Sequence, residues 1–131
     1  MRNANFQLED WVCVNGKPMR VKAVHKTKLG FHTREDKLDW HRVNPSVEPI
    51  KLTDDILDKN LERYKWEKEE KKWVVGTCWN IGHNPNYGYI LAHLDIDEFG
   101  GGYYIPCVPC TYVHELQHLI ADLRIEKKIE L

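Results

Sequence analysis

The sequence lacks a long apolar run, an excess of charge of either sign and a second Cys-x-x-Cys pair. Residues 1–11 contain no apolar stretch, so we expect neither a signal peptide nor a membrane-spanning helix. The 19 basic and 20 acidic residues leave a net charge of −1, which provides no general electrostatic field for nucleic acid. Without an export signal, the 4 cysteines are expected to be reduced thiols in the cytoplasm.

The first fifty residues carry the pattern of a small β-rich lobe. Asn15-Gly16 lies between two β-branched stretches and predicts a two-residue hairpin turn, because both residues tolerate positive φ. Further strand patterns follow, and a polar turn is predicted at 34–37. The predicted strands are 11–14, 19–24, 29–33 and 38–43. Four short strands with tight turns favour an SH3-like antiparallel β-barrel in residues 1–50.

Residues 51–131 show a helix, a strand-rich stretch and a second helix. Thr53 is a good N-cap and is followed by two acids. The first helix is expected either to end at Asn60 or to continue toward Tyr64. Three strands of a meander are predicted, with loops at 80–86 and 106–111 and a short edge strand at the C-terminal residues. These strands are 73–79, 87–94 and 103–105.

The fold class predicted from these patterns is α+β. An SH3-like barrel in residues 1–50 would be followed by a three-stranded antiparallel sheet with two covering helices in residues 51–131. The two parts are expected to share one core. SH3-like barrels often bind peptides or nucleic acid, so both partner classes stay open, and fold alone does not choose between them.

Two charged stretches are expected to be solvated surface, not binding sites. One is a mixed-sign run at residues 65–72. The other is a basic cluster in the second strand and the turn after it, made of Lys17, Arg20, Lys22, His25, Lys26 and Lys28. Charge runs of this kind usually face water.

His114-Glu115-Leu116-Gln117-His118 has the spacing of a zinc-protease helix. Histidines four residues apart share one face of a helix, and Glu115 would act as general base for a zinc-bound water. The alternative function is therefore a small zinc metallohydrolase, with His114 and His118 as metal ligands, Glu115 as the catalytic residue and zinc as the cofactor.

A third metal ligand is hard to find. A catalytic zinc needs three protein ligands. Asp122 lies eight residues beyond His114, which is about 12 Å along a helix, so the two cannot reach one ion. Glu126 and Glu130 would need a further helix. His83, His93 and Asp95 could serve from upstream, but nothing in the sequence selects them.

The apolar repeat of the last helix predicts a structural role. Val113, Leu116, Ile120 and Leu123 recur at helical spacing and predict the buried stripe. The two histidines would then lie on the opposite, exposed face. The preferred interpretation is that no residue is catalytic and that no metal or other cofactor is bound.

Cys107-x-x-Cys110 precedes this helix with the spacing of a zinc or redox pair. Only residues 111–113 separate the second cysteine from His114, which leaves too little chain to fold back into a four-ligand site. Pro109 stiffens the approach further. We therefore do not expect a Cys₂His₂ site.

Three segments resemble a family of small uncharacterised proteins of Bacteroides-type gut bacteria and their prophages. Residues 49–57 are similar to a Pro-Ile-x-Leu-Thr-Glu-Glu-x-Leu connector, residues 112–118 to a Tyr-Val-His-Gln/Glu-Leu-Gln-Asn/His helix, and residues 14–18 to a hairpin of the family's N-terminal barrel. The chain departs from the family in lacking a Gly-Phe pair after the middle helix and in residues 124–128, where many members have Thr-Gly-Glu-Glu.

This resemblance implies a structural helix and a mobile-element context. The family also carries Gln at the position of Glu115 and Asn at that of His118, which does not suit a protease. It has no established activity to transfer. The sequence therefore predicts a non-enzymatic binding or accessory protein of a prophage or mobile element, which acts in the cytoplasm on a protein or nucleic-acid partner and not on a membrane.

Overall fold

The computed structural model of the chain describes residues 6–32, 37–63, 71–84, 86 and 88–131. Strands dominate these ranges. The elements in order are β1 (Trp11–Val14), β2 (Lys17–Arg20), β3 (Ala23–His25), β4 (Lys28–His32), β5 (Leu38–Arg42), α1 (Val43–Ser46), β6 (Val47–Pro49), α2 (Asp54–Asn60), β7 (Glu62–Arg63), β8 (Lys71–Gly76), β9 (Trp79–Asn84), β10 (Gly88–Ile96), β11 (Gly102–Cys110) and α3 (Val113–Asp122).

The first hairpin forms as predicted. β1 and β2 pair antiparallel, with Val14 opposite Lys17. The two turn residues between them, Asn15 and Gly16, have φ angles of 51° and 82°. Positive φ at both positions is the geometry of a type I′ turn, and it explains why this dipeptide stands here.

The predicted SH3-like barrel is wrong. The first lobe contains two separate three-stranded sheets, in the orders β2-β1-β6 and β3-β4-β5, and within the described ranges neither closes on itself. The chain leaves the first sheet at Val21 and Lys22, whose backbone N–H groups donate to Asp10 and Gly30. The single strand expected at 19–24 is therefore divided between the two sheets.

The predicted three-stranded sheet is also wrong. Residues 71–110 contribute four strands to a five-stranded antiparallel sheet in the order β11-β10-β9-β8-β7. The segment expected to be a loop at 80–86 instead contains most of β9. Asn80 and Ile81 of this strand are both buried, so the polar residues that indicated a loop lie in a paired central strand.

β11 is longer than expected because its prolines tolerate an edge position. Pro106 and Pro109 lie within this strand, which pairs only with β10 in the sheet order. Proline has no N–H to donate, and an edge strand needs only half of its N–H groups for the ladder. The stretch expected to be a linker at 106–111 therefore continues the strand to Cys110.

The two covering helices occur where they were predicted. The Thr53 hydroxyl accepts a hydrogen bond from the Ile56 N–H at 3.3 Å, and α2 ends at Asn60. Val113, Leu116 and Ile120 of α3 are buried as expected, and Leu123 is partly buried. The edge strand predicted at 129–131 does not form, although Ile129 is buried. Most of the predicted turn at 34–37 and of the charge run at 65–72 lies outside the described residues.

Two apolar cores lie on opposite faces of the first sheet. The first core is built around Val12, Val14 and Phe31. The second core joins the five-stranded sheet to α2 and α3, and Trp11 of β1 packs against it from the first lobe. Because side chains alternate along β1, this one strand contributes to both cores. None of the described helices is long and apolar enough to cross a membrane.

Candidate functional site

Glu115 closes the N-terminal end of α3. Its Oε1 accepts hydrogen bonds from the backbone N–H groups of Thr111 at 3.0 Å and Tyr112 at 2.9 Å. The first backbone donors of a helix have no partner within the helix, and a carboxylate there also interacts favourably with the helix dipole. The carboxylate predicted as a general base is thus engaged with the backbone.

His118 forms a hydrogen bond with a buried carboxylate that no sequence motif contains. Its Nε2 lies 2.7 Å and 2.9 Å from the two carboxylate oxygens of Asp10. The Asp10 side chain is only 3% exposed, and it also accepts a hydrogen bond from the Gln7 N–H at 2.7 Å. Because 108 residues separate the pair, no local sequence pattern reveals it.

The expectation that His114 faces solvent is wrong. His114 is 5% exposed, its ring meets Phe6 edge-on at a centroid distance of 4.9 Å, and it stacks near Tyr112. Burial lowers its pKa. Its Nδ1 has no hydrogen-bond partner within the described chain. The face was expected to be exposed because the helix was considered alone, whereas residues 6–11 fold over it.

Gln117 completes the contact between α3 and the N-terminal segment. Its Oε1 accepts from the Trp11 N–H at 2.8 Å, and its Nε2 donates to the Glu9 carbonyl at 2.9 Å. The Trp11 indole N–H donates to the Ile129 carbonyl at 2.7 Å. The polar face of α3 is therefore an internal interface that holds the first lobe.

The upstream residues proposed as third ligands have other surroundings. His93 packs on Trp79 with ring centroids 4.6 Å apart, and His83 stacks on Tyr89 at 4.5 Å. The Asp95 carboxylate accepts the Ile96 N–H in the β10–β11 hairpin. Over the described ranges, no three His, Cys, Asp or Glu residues have an arrangement that could hold a metal ion.

The two cysteines of Cys-x-x-Cys lie in the same strand, β11, but in different environments. Cys107 is exposed and Cys110 is buried against the second core. Burial raises the pKa of the Cys110 thiol to about 12. A thiol with so high a pKa is a poor nucleophile and a poor redox partner at neutral pH.

A second polar cluster, partly exposed and also missed in the sequence, surrounds Asp54. Its carboxylate accepts hydrogen bonds from Lys71 Nζ at 2.6 Å and from the Tyr89 hydroxyl, and His83 Nδ1 is 3.7 Å away. Burial opposes the charge, but the hydrogen bonds from Lys71 and Tyr89 lower the pKa of Asp54. Burial and the bond to Asp54 raise the pKa of Tyr89. The cluster ties α2 to the large sheet.

Comparisons with protein-family models, with curated proteins and with solved structures found no match.

The most exposed apolar surface lies on the β10–β11 hairpin. Nine large apolar side chains are exposed in the described ranges, and five of them belong to this hairpin, with exposed fractions between 37% and 90%. We call this group the hairpin patch. Its members are Ile96, Phe99, Tyr103, Ile105 and Val108.

Three members of the hairpin patch share one face of the sheet. Tyr103, Ile105 and Val108 are opposite Asp95, His93 and Leu91 in the strand register. Leu91 belongs to the second core, so this face is the one that α3 covers further along the strand. These three residues therefore extend the core face beyond the helix, where no described element covers it.

The end of the hairpin is acidic, whereas the basic cluster of the first lobe is partly neutralised. Asp95, Asp97 and Glu98 stand among the apolar residues of the turn, and residues 95–102 contain no Lys or Arg. In the first lobe, Arg20 pairs with Glu130 at 2.9 Å and Lys22 with Glu9 at 3.0 Å. Partial neutralisation agrees with the expected solvated face.

Proposed function

We propose that this chain is a non-enzymatic binding protein that recognises another protein through the hairpin patch. In this proposal it serves as an accessory protein of a prophage or mobile element in the cytoplasm. The observation that carries the binding role is the concentration of exposed apolar side chains on one hairpin. Such surfaces on a small protein mark protein-interaction sites.

The charge of the hairpin favours a protein partner over nucleic acid. Carboxylates at Asp95, Asp97 and Glu98 would repel phosphates, and nucleic-acid interfaces are strongly basic. The complementary partner presents an apolar surface rimmed by Lys or Arg. Tyr103 suits the centre of such an interface, because tyrosine combines a large contact area with few rotatable bonds.

The non-enzymatic part of the proposal is supported by the contacts of the His-Glu-x-x-His residues. The Glu115 carboxylate bonds the backbone at the start of α3, and the His118 Nε2 bonds Asp10. His114 is buried among aromatic rings. Each of these contacts supports the fold, and a catalytic role would require the side chains to leave them.

The test is a comparison of captured partners between matched variants. The full chain is immobilised and exposed to a lysate of a prophage-carrying host, and bound proteins are identified by mass spectrometry. Ile105→Lys places a charge within the patch, and we expect it to abolish capture of a specific partner. Val24→Lys is the control, because Val24 is similarly exposed on a different sheet.

A direct titration then separates the partner classes. The identified partner is titrated against the wild-type chain, and duplex DNA and RNA are titrated in parallel by fluorescence. We expect partner binding that weakens with salt, because the acidic end of the hairpin contributes attraction. The proposal fails if Ile105→Lys and Val24→Lys capture the same proteins, or if DNA or RNA alone binds specifically.

A further inference from the structure

We propose that a groove between the first sheet and α2 binds a small organic amine with an apolar body. No member of the hairpin patch lines the groove, and its ligand is independent of the protein partner proposed above. The proposal rests on two cavities that share lining residues, on the apolar walls of the larger one and on one carboxylate that has no partner among the described residues.

The groove is the uncovered part of one face of the first sheet. Val12 and Val14 are buried in the first core, so Trp11 and Cys13, which alternate with them, point to the opposite face. Trp11 is covered by the second core. Cys13 continues the same face beyond that cover and lines a cavity of about 500 Å³.

Both lobes contribute apolar walls to this cavity. Pro18 and Pro49 come from the strands on either side of β1, and Ile56 comes from α2. Ile50 and Leu131 complete the apolar lining. Pockets for small ligands range over about 300–1,000 Å³, are mainly apolar, and occur preferentially where two parts of a structure meet. The larger cavity has these properties.

A smaller polar cavity shares two of its lining residues, Cys13 and Glu48, with the first one. It measures about 120 Å³ and is lined further by Asn15, Gly16 and Ser46. Cys13 and Glu48 are directly opposite each other in the β1–β6 pair, and both residues line both cavities. A ligand that spans both would place its apolar body in the larger cavity and a polar head group in the smaller one.

The charge around the smaller cavity selects a cationic head group. No described residue forms a hydrogen bond or ion pair with the Glu48 carboxylate. The described lining of this cavity contains no Lys, Arg or His to balance it. Asp55 and Lys59 line the larger cavity with opposite charges, so together they favour neither a positive nor a negative ligand. An ammonium group would donate hydrogen bonds to Glu48 and to the side-chain oxygens of Asn15 or Ser46.

The experiment follows protection of the Cys13 thiol by a defined probe, 4-phenylbutylamine. The full chain is alkylated with iodoacetamide with and without the probe, and each cysteine is quantified by peptide mass spectrometry. We expect the probe to slow modification of Cys13 at about millimolar concentration, which is the affinity range of so small a ligand. Cys107 is exposed on the large sheet and is an internal control whose rate stays unchanged.

Two matched comparisons test the head group. 4-Phenylbutyrate has the same apolar body with a negative charge, and we expect weaker protection from it. Glu48→Gln keeps the shape of the side chain and should raise the half-protective concentration of the amine by up to about fivefold, the upper end for an exposed ion pair. Glu126→Gln, an exposed acid outside the groove, should leave it unchanged. Protection is compared within each variant, because Glu48 lies opposite Cys13 and its substitution changes the surroundings of the thiol.

Several results would overturn the proposal. One is no protection at about 10 mM amine together with no saturation transfer from the protein to the phenyl protons in NMR, a readout that does not depend on the thiol. Equal protection by amine and carboxylate would show that the head group is not recognised. Equal slowing at Cys107 would indicate non-specific binding. Protection by a phenylalanine-containing peptide amide but not by the amine would assign the groove to a protein segment.

Discussion

The α3 helix and the β10–β11 hairpin differ in whether the side chains that stand out in the sequence are also free at the surface. α3 carries the residues with a recognisable chemical spacing, yet Glu115 and His118 are engaged in contacts that hold the fold. The hairpin carries no motif, yet it exposes Phe99, Tyr103 and Ile105. Groups that the fold leaves unpaired or uncovered are the ones available to a partner. A motif indicates function only when its atoms remain free to act.

The sharpest test of this comparison exchanges an apolar side chain in each region for alanine. Leu116 of α3 is fully buried, whereas Ile105 of β11 is 41% exposed. We expect Leu116→Ala to lower the free energy of unfolding by about 2–5 kcal/mol, because a cavity forms in the second core. Ile105→Ala should change it by about 0.5 kcal/mol or less. Urea denaturation of both variants measures the difference, and equal losses would mean that the hairpin patch is part of the core.

The next largest effect is expected at the pair formed by Asp10 and His118. Removal of His118 leaves the buried Asp10 carboxylate with only the bond from the Gln7 N–H, and removal of Asp10 leaves the half-buried His118 ring without this partner. Either change should lower the free energy of unfolding by about 1–3 kcal/mol. A double-mutant cycle with Asp10→Ala and His118→Ala isolates the interaction. An exposed His118, as the helical pattern predicted, could be replaced with a change of about 0.5 kcal/mol or less, so the His118→Ala variant distinguishes an exposed histidine from one that stabilises the fold. Additive losses would mean that the contact between Asp10 and His118 does not itself stabilise the fold.

The parts of the fold that follow from local rules were predictable. Asn15-Gly16 forms a turn that only residues tolerant of positive φ adopt readily, and Thr53 caps α2. The buried stripe of α3 follows from helical periodicity alone. Each of these depends on residues within one or two turns of chain.

The parts that depend on distant segments were not predictable. Asn80 is polar but lies in a central strand, because neighbouring strands supply the ladder and the burial. Pro106 and Pro109 read as a linker and are tolerated because β11 is an edge strand. The burial of His114 requires Phe6, which is more than a hundred residues away. The pattern of a single sequence does not show which distant segments lie next to each other.

The burial of His114 predicts a loss of stability in acid. Its pKa is lowered in the folded state by burial, so the unfolded chain binds the proton more readily. The contribution of neutral, buried His114 to the free energy of unfolding is therefore complete above the unfolded pKa of about 6.5. It is lost as the pH falls below that value, by at most about 1.4 kcal/mol per pH unit. Urea denaturation between pH 7.5 and pH 5, values chosen to bracket that pKa, measures the slope.

Two variants test whether His114 is the group that causes this acid sensitivity. His114→Phe keeps an aromatic ring among Phe6 and Tyr112 and cannot be protonated, so its slope should be shallower than that of the wild type. His32→Gln removes an exposed histidine of β4 and should leave the slope unchanged. A wild-type slope in His114→Phe would mean that another group senses the acid.

The smallest effect is expected at Glu115, and it distinguishes the capping role from that of a base. Glu115→Gln keeps the oxygen that accepts from the Thr111 and Tyr112 N–H groups and removes only the charge near the helix N-terminus. We therefore expect this variant to lower the free energy of unfolding by about 0.3–1 kcal/mol. Glu115→Ala also leaves two N–H groups without a partner, and a larger loss of about 1–2 kcal/mol should follow. Both losses are read by urea denaturation at pH 7. If the two variants are equally stable, Glu115 does not support the helix through these bonds, and its carboxylate becomes available for another role.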